Sequence, residues 1–501
     1  MQTQSSLKPI DPASEGVLPG QRNLYYGGQW HAPLRGGTRA VHDPATGALL
    51  CEIAEADERD VDAAVIAAKA GFAQWRDVAP LERAKLLREM ASRMRANAEK
   101  LALLDAIDGG NPVRMLRGDV EMAAGQIEFF AGLVTEMKGA SIPMGSGSVN
   151  FSVREPQGVV ARIIPFNHPL MFCAGKAAAP LAAGNAVIMK PPEQAPLSAL
   201  MLAEMFDGLL PPGVFNILPG GRTAGAALAE HPDVAMVTVV GSVATGRAVM
   251  RSAAETIKPV LLELGGKNAL IALADADPEE VADAVIRGMN FDWCGQSCGS
   301  TSRAFIHDSI YDAVVERAAE KIRRFRPGIP SDSETVMGAI ASEAQYDRVV
   351  SSVERGIAEG ARIVSGGKRP NDDALAHGWF FEPTLFADVT MDMAIAREEI
   401  FGPVLSVLRW HDEEELVACV NGNDLGLTCS IWTNDLHSAH RLAGAVEAGY
   451  VWVNEVARHF LGAPFGGVRQ SGIGREECLE ELLAFTREKN IHIRLKKSTA
   501  V

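Results

Sequence analysis

The chain is 501 residues long, 47% hydrophobic and 22% charged, and carries 48 Lys and Arg against 63 Asp and Glu for a net charge of −15. At roughly 100–200 residues per folding unit, that length implies several packed lobes, and the ordinary composition excludes a disordered or collagen-like chain. The acidic balance argues against a broad basic face for gripping nucleic acid and against electrostatic docking on anionic membranes.

Residues 1–20 read as a flexible tail, polar and without the apolar core of a secretory signal. Two turn-punctuated β-rich pieces follow, LYYGGQWHAP and AVHDPATGALLCEIAEA. From Asp57, apolar residues Val61, Ala64, Val65, Ala68, Phe72 and Trp75 recur at three- and four-residue steps, which predicts a helix. Two more helices are expected over about 81–108 and 117–137. Segment 138–157 alternates Val149, Phe151 and Val153 and carries a Gly-Ser tip, the pattern of a projecting hairpin. Between 158 and about 273, short apolar runs (GVVARII, NAVIMK, VFNILP, VAMVTVV, NALIAL) alternate with helical stretches, the rhythm of a parallel sheet covered on both faces. A second such series runs from about 277 to 454 with RAFIH, RIVSGG, VLSVLRW, CSIWT and YVWVN as strands, and FTREKNIHIRLKK closes with period-two character. The longest apolar stretch, PLMFCAGKAAAPLAAGNAVIM, is broken by Lys176, Pro180 and glycines and does not read as a membrane span. These patterns predict two α/β lobes and a small β appendage.

Seven cysteines without a CxxC are too sparse for a disulfide scaffold or a zinc framework; they fit a reducing, cytoplasmic setting, and no metal is expected. Two of them lie in FDWCGQSCGSTSR (291–303), a Gly-punctuated turn whose small residues Ser297, Gly299 and Ser300 leave room around a thiol. On composition alone, a nucleophile and a structural cysteine weigh evenly there. A likeness to the CGSC run of papain-like proteases is weak, because that family places its cysteine near the mature N-terminus. Glu263 ends an apolar run in LLELGGKN (261–268), where Gly-Gly lets the backbone bring the carboxylate to a cleft and desolvation makes it a base near neutral pH. Taken alone, a surface-paired Glu is the simpler reading.

Together these stretches resemble the aldehyde dehydrogenase superfamily, from DPATG (43–47) through PFNHP (165–169), MKPPE (189–193), VGS (240–242), ELGGK (263–267), GQSC (295–298) and EEIFGP (398–403) to PFGGVRQSGIGR (464–475). Each motif is weak alone; in this order they cover nearly the whole chain beyond the tail. The resemblance implies an α/β fold of two doubly wound lobes, a Rossmann-like NAD-binding domain (21–137 and 158–273) and a catalytic domain (274–475), with a small β oligomerisation arm (138–157 and 476–501). It implies NAD-dependent oxidation of an aldehyde to a carboxylic acid. Cys298 matches the nucleophile, which forms a thiohemiacetal and then a thioester. Asn167 matches the oxyanion-hole side chain, partnered by the Cys298 N–H, and such donors are worth roughly 3–4 kcal/mol each. Glu263, 35 residues before Cys298, matches the base for the thiol or the hydrolytic water.

For the cofactor, the likeness puts Lys190 and Glu193 on the adenosine ribose, and a carboxylate there accepts from the 2′-OH and repels a 2′-phosphate, favouring NAD over NADP. Gly241 and Ser242 open a helix suited to a pyrophosphate, and Gly220, Gly221 and Gly225 permit close backbone approach. The likeness also implies that Ile164, Pro165, Phe166 and Leu264 line the cofactor, and Glu399 and Phe401 match the pair that holds the nicotinamide ribose and ring. Departures from the family pattern stand at Val239 and Val240 for Phe-Thr, Phe166 for Trp, and Trp293 for Asn.

His168, Phe172 and Gly175 on the helix after Asn167, with Ser297, His459 and Phe465, are candidates for the aldehyde tunnel. Gly175 replaces a bulky aromatic of many relatives and is expected to widen the tunnel for a bulky or aromatic substrate. Arg458 or His459 could meet a carboxylate or hydroxyl of the substrate at the mouth, with a solvated surface role the favoured alternative for Arg458 and a core role an even alternative for His168. Cys294 reads as a small buried residue, with a disulfide to Cys298 as the functional alternative. The appendage is expected to pair subunits into a homodimer or homotetramer. Two other readings are a CoA-acylating dehydrogenase, against which Glu263 counts, and a non-catalytic protein on the same fold.

Overall fold

A computed structural model of the chain describes residues 16–495. Two large sheets form its frame. The first has eight strands in the order Gln29–His31, Leu24–Tyr26, Phe215–Ile217, Ala186–Lys190, Val159–Ile163, Met236–Gly241, Val260–Leu264 and Gly472–Ile473. Its five inner strands are parallel, and their residues are buried almost throughout because helices cover both faces. The order reverses direction between Val159–Ile163 and Met236–Gly241, the topological switch where open α/β sheets bind ligands beyond their carboxyl ends. The second sheet has seven strands: Arg362–Ser365, Thr384–Ala387, Val404–Trp410, Arg303–His307, Ala269–Ala272, Thr428–Trp432 and Tyr450–Val453, parallel except for the first pair.

This topology moves two expected boundaries. NALIAL pairs with Arg303–His307 and Thr428–Trp432, so the second lobe begins before Ala269 and not after Leu273. Its apolar run looks like the strands before it; only pairing reveals which sheet it joins. Residues 476–485 do not belong to the arm: helix Leu479–Ala484 follows the strand Gly472–Ile473, and Leu482 and Phe485 are buried in the core of the first lobe. The tail expectation also fails at its inner end, where Val17 and Leu18 pack into that core, while residues 1–15 lie outside those described.

Helix boundaries follow local chemistry. Glu58–Trp75 starts at a capping box in which Asp57 accepts from the Arg59 and Asp60 N–H groups and Asp60 accepts from the Asp57 N–H. The helix expected over 81–108 is two, Pro80–Ala96 and Ala98–Gly109, because Asn97 leaves helical geometry (φ −120°, ψ 20°) and caps Arg93 with its side chain. Val113–Gly132 starts earlier than expected, directly after Pro112. Helix Pro169–Ala183 is buried on nearly all sides and ends at Gly184 with φ 94°. No side chain of its own caps its start; the buried Asp105 accepts from the Leu170 N–H at 3.1 Å instead. Asp108 does the same for helix Leu197–Phe206.

The appendage is a three-stranded sheet. Ser141–Ile142 and Ser148–Pro156 form the expected hairpin, and Thr486–Arg494 pairs antiparallel along the whole of the longer strand. Residues 496–501 of the expected arm lie outside the described residues. Among the described residues no helix is long and apolar enough to cross a membrane.

Candidate active site

The chain passes from the first sheet to the second through Gly265, Gly266, Lys267 and Asn268, which link the carboxyl end of Val260–Leu264 to the start of Ala269–Ala272. Glu263 thus stands at the exit of one sheet. Cys298 stands in the loop that enters the neighbouring strand Arg303–His307 of the other. That loop is bent by left-handed backbone at Asn290, Cys294 and Gly295. A Cβ on Gly295 would overlap the Gly402 carbonyl, so glycine is required there. Asn268 holds the loop: its Nδ2 donates to the carbonyls of Cys298 (2.6 Å) and Ser300 (3.0 Å), while its Oδ1 accepts from the Thr428 N–H. The Cys298 N–H enters no backbone hydrogen bond. Cys294 is fully buried on the far side, as a small core residue.

Glu263 is 2% exposed, and its Oε1 has no partner. Its side chain shares the lining of two cavities with Cys298. Burial, reinforced by the charge of Glu476, pushes the Glu263 pKa up to about 8, and burial with Glu263 beside it raises the thiol as well. Beside them is a buried ion network, of which Lys176, Glu476 and Glu477 reach the lining of one of those cavities. Arg162 donates to Glu476 (3.3 Å) and Glu481 (2.9 Å), and Lys176 pairs with the second oxygen of Glu476 at 2.8 Å. Burial works against the Lys176 charge, but Glu476, Glu481 and Glu477 outweigh it and its pKa is raised. Asn167 precedes helix Pro169–Ala183, and its carbonyl is clamped by Asn111 Nδ2 (2.9 Å) and Trp293 Nε1 (3.2 Å). Its side-chain Oδ1 is buried without a partner.

Cys298, Glu263 and Asn167 line two cavities at once. One, of about 360 Å³, is walled by Met115, Met122, Met171, Phe172, Trp293, Trp452 and Phe465, with Ser297 and His459 also on its lining. His168 lies on its wall, its Nδ1 2.7 Å from Asp119 Oδ2 and its ring stacked on Trp293 at 4.9 Å. His459 faces Glu477 at 3.4 Å and packs on Phe465. Arg458 points to solvent beside Glu455 and does not reach the cavity lining.

Gly175 corrects an expectation. It does not open the tunnel, because a Cβ there would overlap Oε1 of Gln126, which is 2% exposed and fills the space that a larger residue would occupy. Gln126 comes from helix Val113–Gly132, whose tunnel-facing residues Met115, Asp119, Met122 and Gln126 share one helical face. Gly175→Ala is therefore expected to destabilise the protein by about 1–3 kcal/mol through overpacking. Adding Gln126→Ala should recover most of that loss, read as the urea midpoint; no recovery would show that the two side chains do not compete.

The smaller cavity, about 120 Å³, lies between Cys298 and Phe166, Val240, Glu399 and Phe401. Glu399 docks on the Gly-Gly step, accepting from the Gly266 N–H at 3.0 Å, where a Cβ on Gly265 would overlap its carboxylate. Gln345 and Arg348 donate to the carbonyls of residues 399–401 and fix that turn. Beyond it a cleft of about 700 Å³ runs past Ile164, Pro165, Lys190, Glu193, Gly221, Gly225, Gly241 and Ser242, at the switch point of the first sheet. These residues fit a dinucleotide. Ser242 caps helix Val243–Ala254 through the Thr245 N–H. Lys190 Nζ donates to the Pro191 carbonyl, which leaves its other protons for a ligand. Gly225 keeps space beside the Lys190 stem, since a Cβ there would lie 3.4 Å from its Cε. Leu264 is buried below and does not line the cleft. Among the described residues no His, Cys, Asp and Glu cluster could hold a metal.

The sequence reasoning missed Asn268, Lys176, Glu476, Asp119 and Gln126. Asn268 closes the stretch LLELGGKN and Glu476 directly follows PFGGVRQSGIGR, so both were within reach; nothing local marks Asp119 or Gln126.

Comparison with known proteins agrees with this geometry. The model of the Aldehyde dehydrogenase family matches residues 30–491. Aldehyde dehydrogenase tropH of Talaromyces stipitatus is 48% identical over 500 residues, covering 98% of this chain and 97% of that protein. The NAD+ complex of an aldehyde dehydrogenase from Bacillus cereus superimposes with a TM-score of 0.93 at 38% identity, covering 98% of this chain and 100% of that one. The indole-3-acetaldehyde dehydrogenase AldA of P. syringae, solved as a mutant in complex with NAD+ and IAA, gives 0.93 at 35% identity over 96% of this chain and 98% of that one. Fold, site geometry and relatives lead to one conclusion: the chain belongs to the aldehyde dehydrogenase family.

Proposed function

We propose that this chain oxidises a bulky or aromatic aldehyde to the carboxylic acid with NAD, through a thioester on Cys298. The convergence of Cys298, Glu263 and Asn167 on the wall shared by the two cavities carries the reading. The larger cavity brings an aldehyde carbonyl to the thiol between Phe172, Trp293 and Phe465. Glu263, in its ionised form, takes the thiol proton, and the sulfur attacks the carbonyl carbon. The Asn167 amide and the unspent Cys298 N–H meet the oxygen as it gains charge. When bound, the nicotinamide supplies the acceptor for the hydride that leaves the substrate carbon. Glu263 releases that proton to solvent, then takes one from a water that attacks the thioester and passes it to the departing sulfur, returning acid and free thiol. Lys176 and Glu476, on the lining of the same cavity, act on Glu263 by setting the local charge.

Because Glu263 works as a base and burial raises it to about 8, it is protonated below that pH and activity is expected to climb through it. In Glu263→Gln that limb of the kcat/KM profile should vanish; an unchanged profile would reassign the base. The decisive assay is NADH release across aromatic, terpenoid, trimethylammonium and ω-carboxy aldehydes, with the acid identified by mass spectrometry with and without CoA. Turnover confined to short aliphatic aldehydes would refute the substrate class, and an acyl-CoA product would refute hydrolysis.

The β appendage supports assembly into a homodimer or homotetramer, since it exposes Ile142, Met144, Val149, Ile493 and Leu495. Light scattering of the purified chain tests this directly.

A further inference from the structure

We propose that Arg39 makes the ribose corner of the cleft a site for two coenzymes, so that this chain takes NADP as well as NAD. The inference rests on the reading of Lys190 and Glu193 as the adenosine-ribose corner. Arg39 lies on strand Thr38–His42, outside every motif, yet its Nη2 bonds Glu55 and sits 3.0 Å from Glu193 Oε2. Its Nε is buried with no partner. All three side chains converge over Gly221. A Cβ there would lie 2.9 Å from Glu55 Oε1, 3.1 Å from Arg39 Nη2 and 3.4 Å from Glu193 Oε1. Only a residue without a side chain leaves that corner open.

A lone carboxylate beside the ribose repels a 2′-phosphate. Glu193 is not alone. The guanidinium beside it, shared with Glu55, offsets part of its charge, and guanidinium is the side chain best matched to phosphate, through two parallel N–H donors. Departure of Glu193 would free an Nη2 donor of Arg39 and uncover the unpartnered Nε, now buried, as such a fork. With NAD, Arg39 holds one oxygen of Glu193 and leaves Oε1 to accept from a ribose hydroxyl. With a 2′-phosphate, the partly exposed Glu193 turns away and the phosphate replaces it on Arg39, which Glu55 keeps in place. Arg222, on the lining of the same cleft, adds a second cation. Lys190 is tuned by the same charges: burial lowers its pKa to about 8, with Glu193 opposing and Arg39 reinforcing the shift.

Calorimetric titration of the purified chain with 2′,5′-ADP and 5′-ADP tests the assignment without any turnover. Wild type is expected to bind the two within about tenfold of each other, and Arg39→Ala to shift the ratio against 2′,5′-ADP by about tenfold or more. Arg39→Lys should keep part of the preference, because charge remains and the fork is lost. Glu193→Ser should move the ratio toward 2′,5′-ADP, and adding Arg39→Ala should remove that gain. Equal weakening of both nucleotides in Arg39→Ala, or the same gain from Glu193→Ser with and without Arg39, would overturn the proposal. Aldehyde-dependent NADH release by wild type tests the oxidation reading separately, so a failure there leaves the nucleotide titrations to stand or fall by themselves.

Discussion

Cys298→Ala is expected to abolish aldehyde-dependent NADH formation, by at least about a thousandfold, while NAD still binds. The loss should be this complete because no other sulfur can take over. Cys294, four residues away, is fully buried, and desolvation raises its thiol pKa to about 12. The Asn268 bonds to the Cys298 and Ser300 carbonyls engage main chain alone, so the loop and its free N–H should survive the substitution. Rapid-quench assays with the best aldehyde of the screen, together with NAD fluorescence quenching, give both halves of the result. Residual turnover within tenfold of wild type would show that the nucleophile lies elsewhere.

Arg162→Ala should be the most destabilising single change in the first lobe. Its guanidinium, on a central parallel strand, is buried between Glu476 and Glu481 and lies 4.7 Å over the Phe485 ring. Removing one partner of such a cluster leaves buried carboxylates short of a cation, which costs about 3–5 kcal/mol. The remaining excess of negative charge should also raise Glu263 further, because Glu476 already acts on it in that direction. Urea unfolding gives the first effect and the alkaline displacement of the pH–activity limb gives the second. A loss below about 1 kcal/mol would mean that water reaches the network and screens it.

Much of the frame was legible because parallel strands buried on both faces leave continuous apolar runs, and all five runs of the first series are strands. What those runs do not encode is membership: Ala269–Ala272 differs from its predecessors only in the partners it finds. Thr384–Ala387 escaped notice because four residues after a proline carry too little period to register. At the site, Cys298, Glu263 and Asn167 could be read because each sits in a motif whose glycines or prolines mark a special backbone. Gln126 shows the opposite case. The glycine opposite it was visible and suggested empty space, but which side chain fills that space depends on how two helices pack, and no periodicity records it. Arg39 was invisible for the same reason, since its partner Glu193 lies on a connection far along the chain.

The ion network has a consequence for biosynthesis. Glu476 meets Arg162 across 314 residues of sequence, and the edge strand Gly472–Ile473 of the same sheet arrives equally late. While the chain is being made, Arg162 and Lys176 have no carboxylates of their own to bury against, and a buried unpaired cation is costly. The nucleotide-side lobe therefore cannot reach its final packing on the ribosome when its segment up to Leu264 is complete. It must wait, partly hydrated, through synthesis of the entire second lobe. A fragment ending before residue 472 should accordingly behave as a loosely packed, protease-sensitive species, a natural client for chaperones and not an independent folding unit.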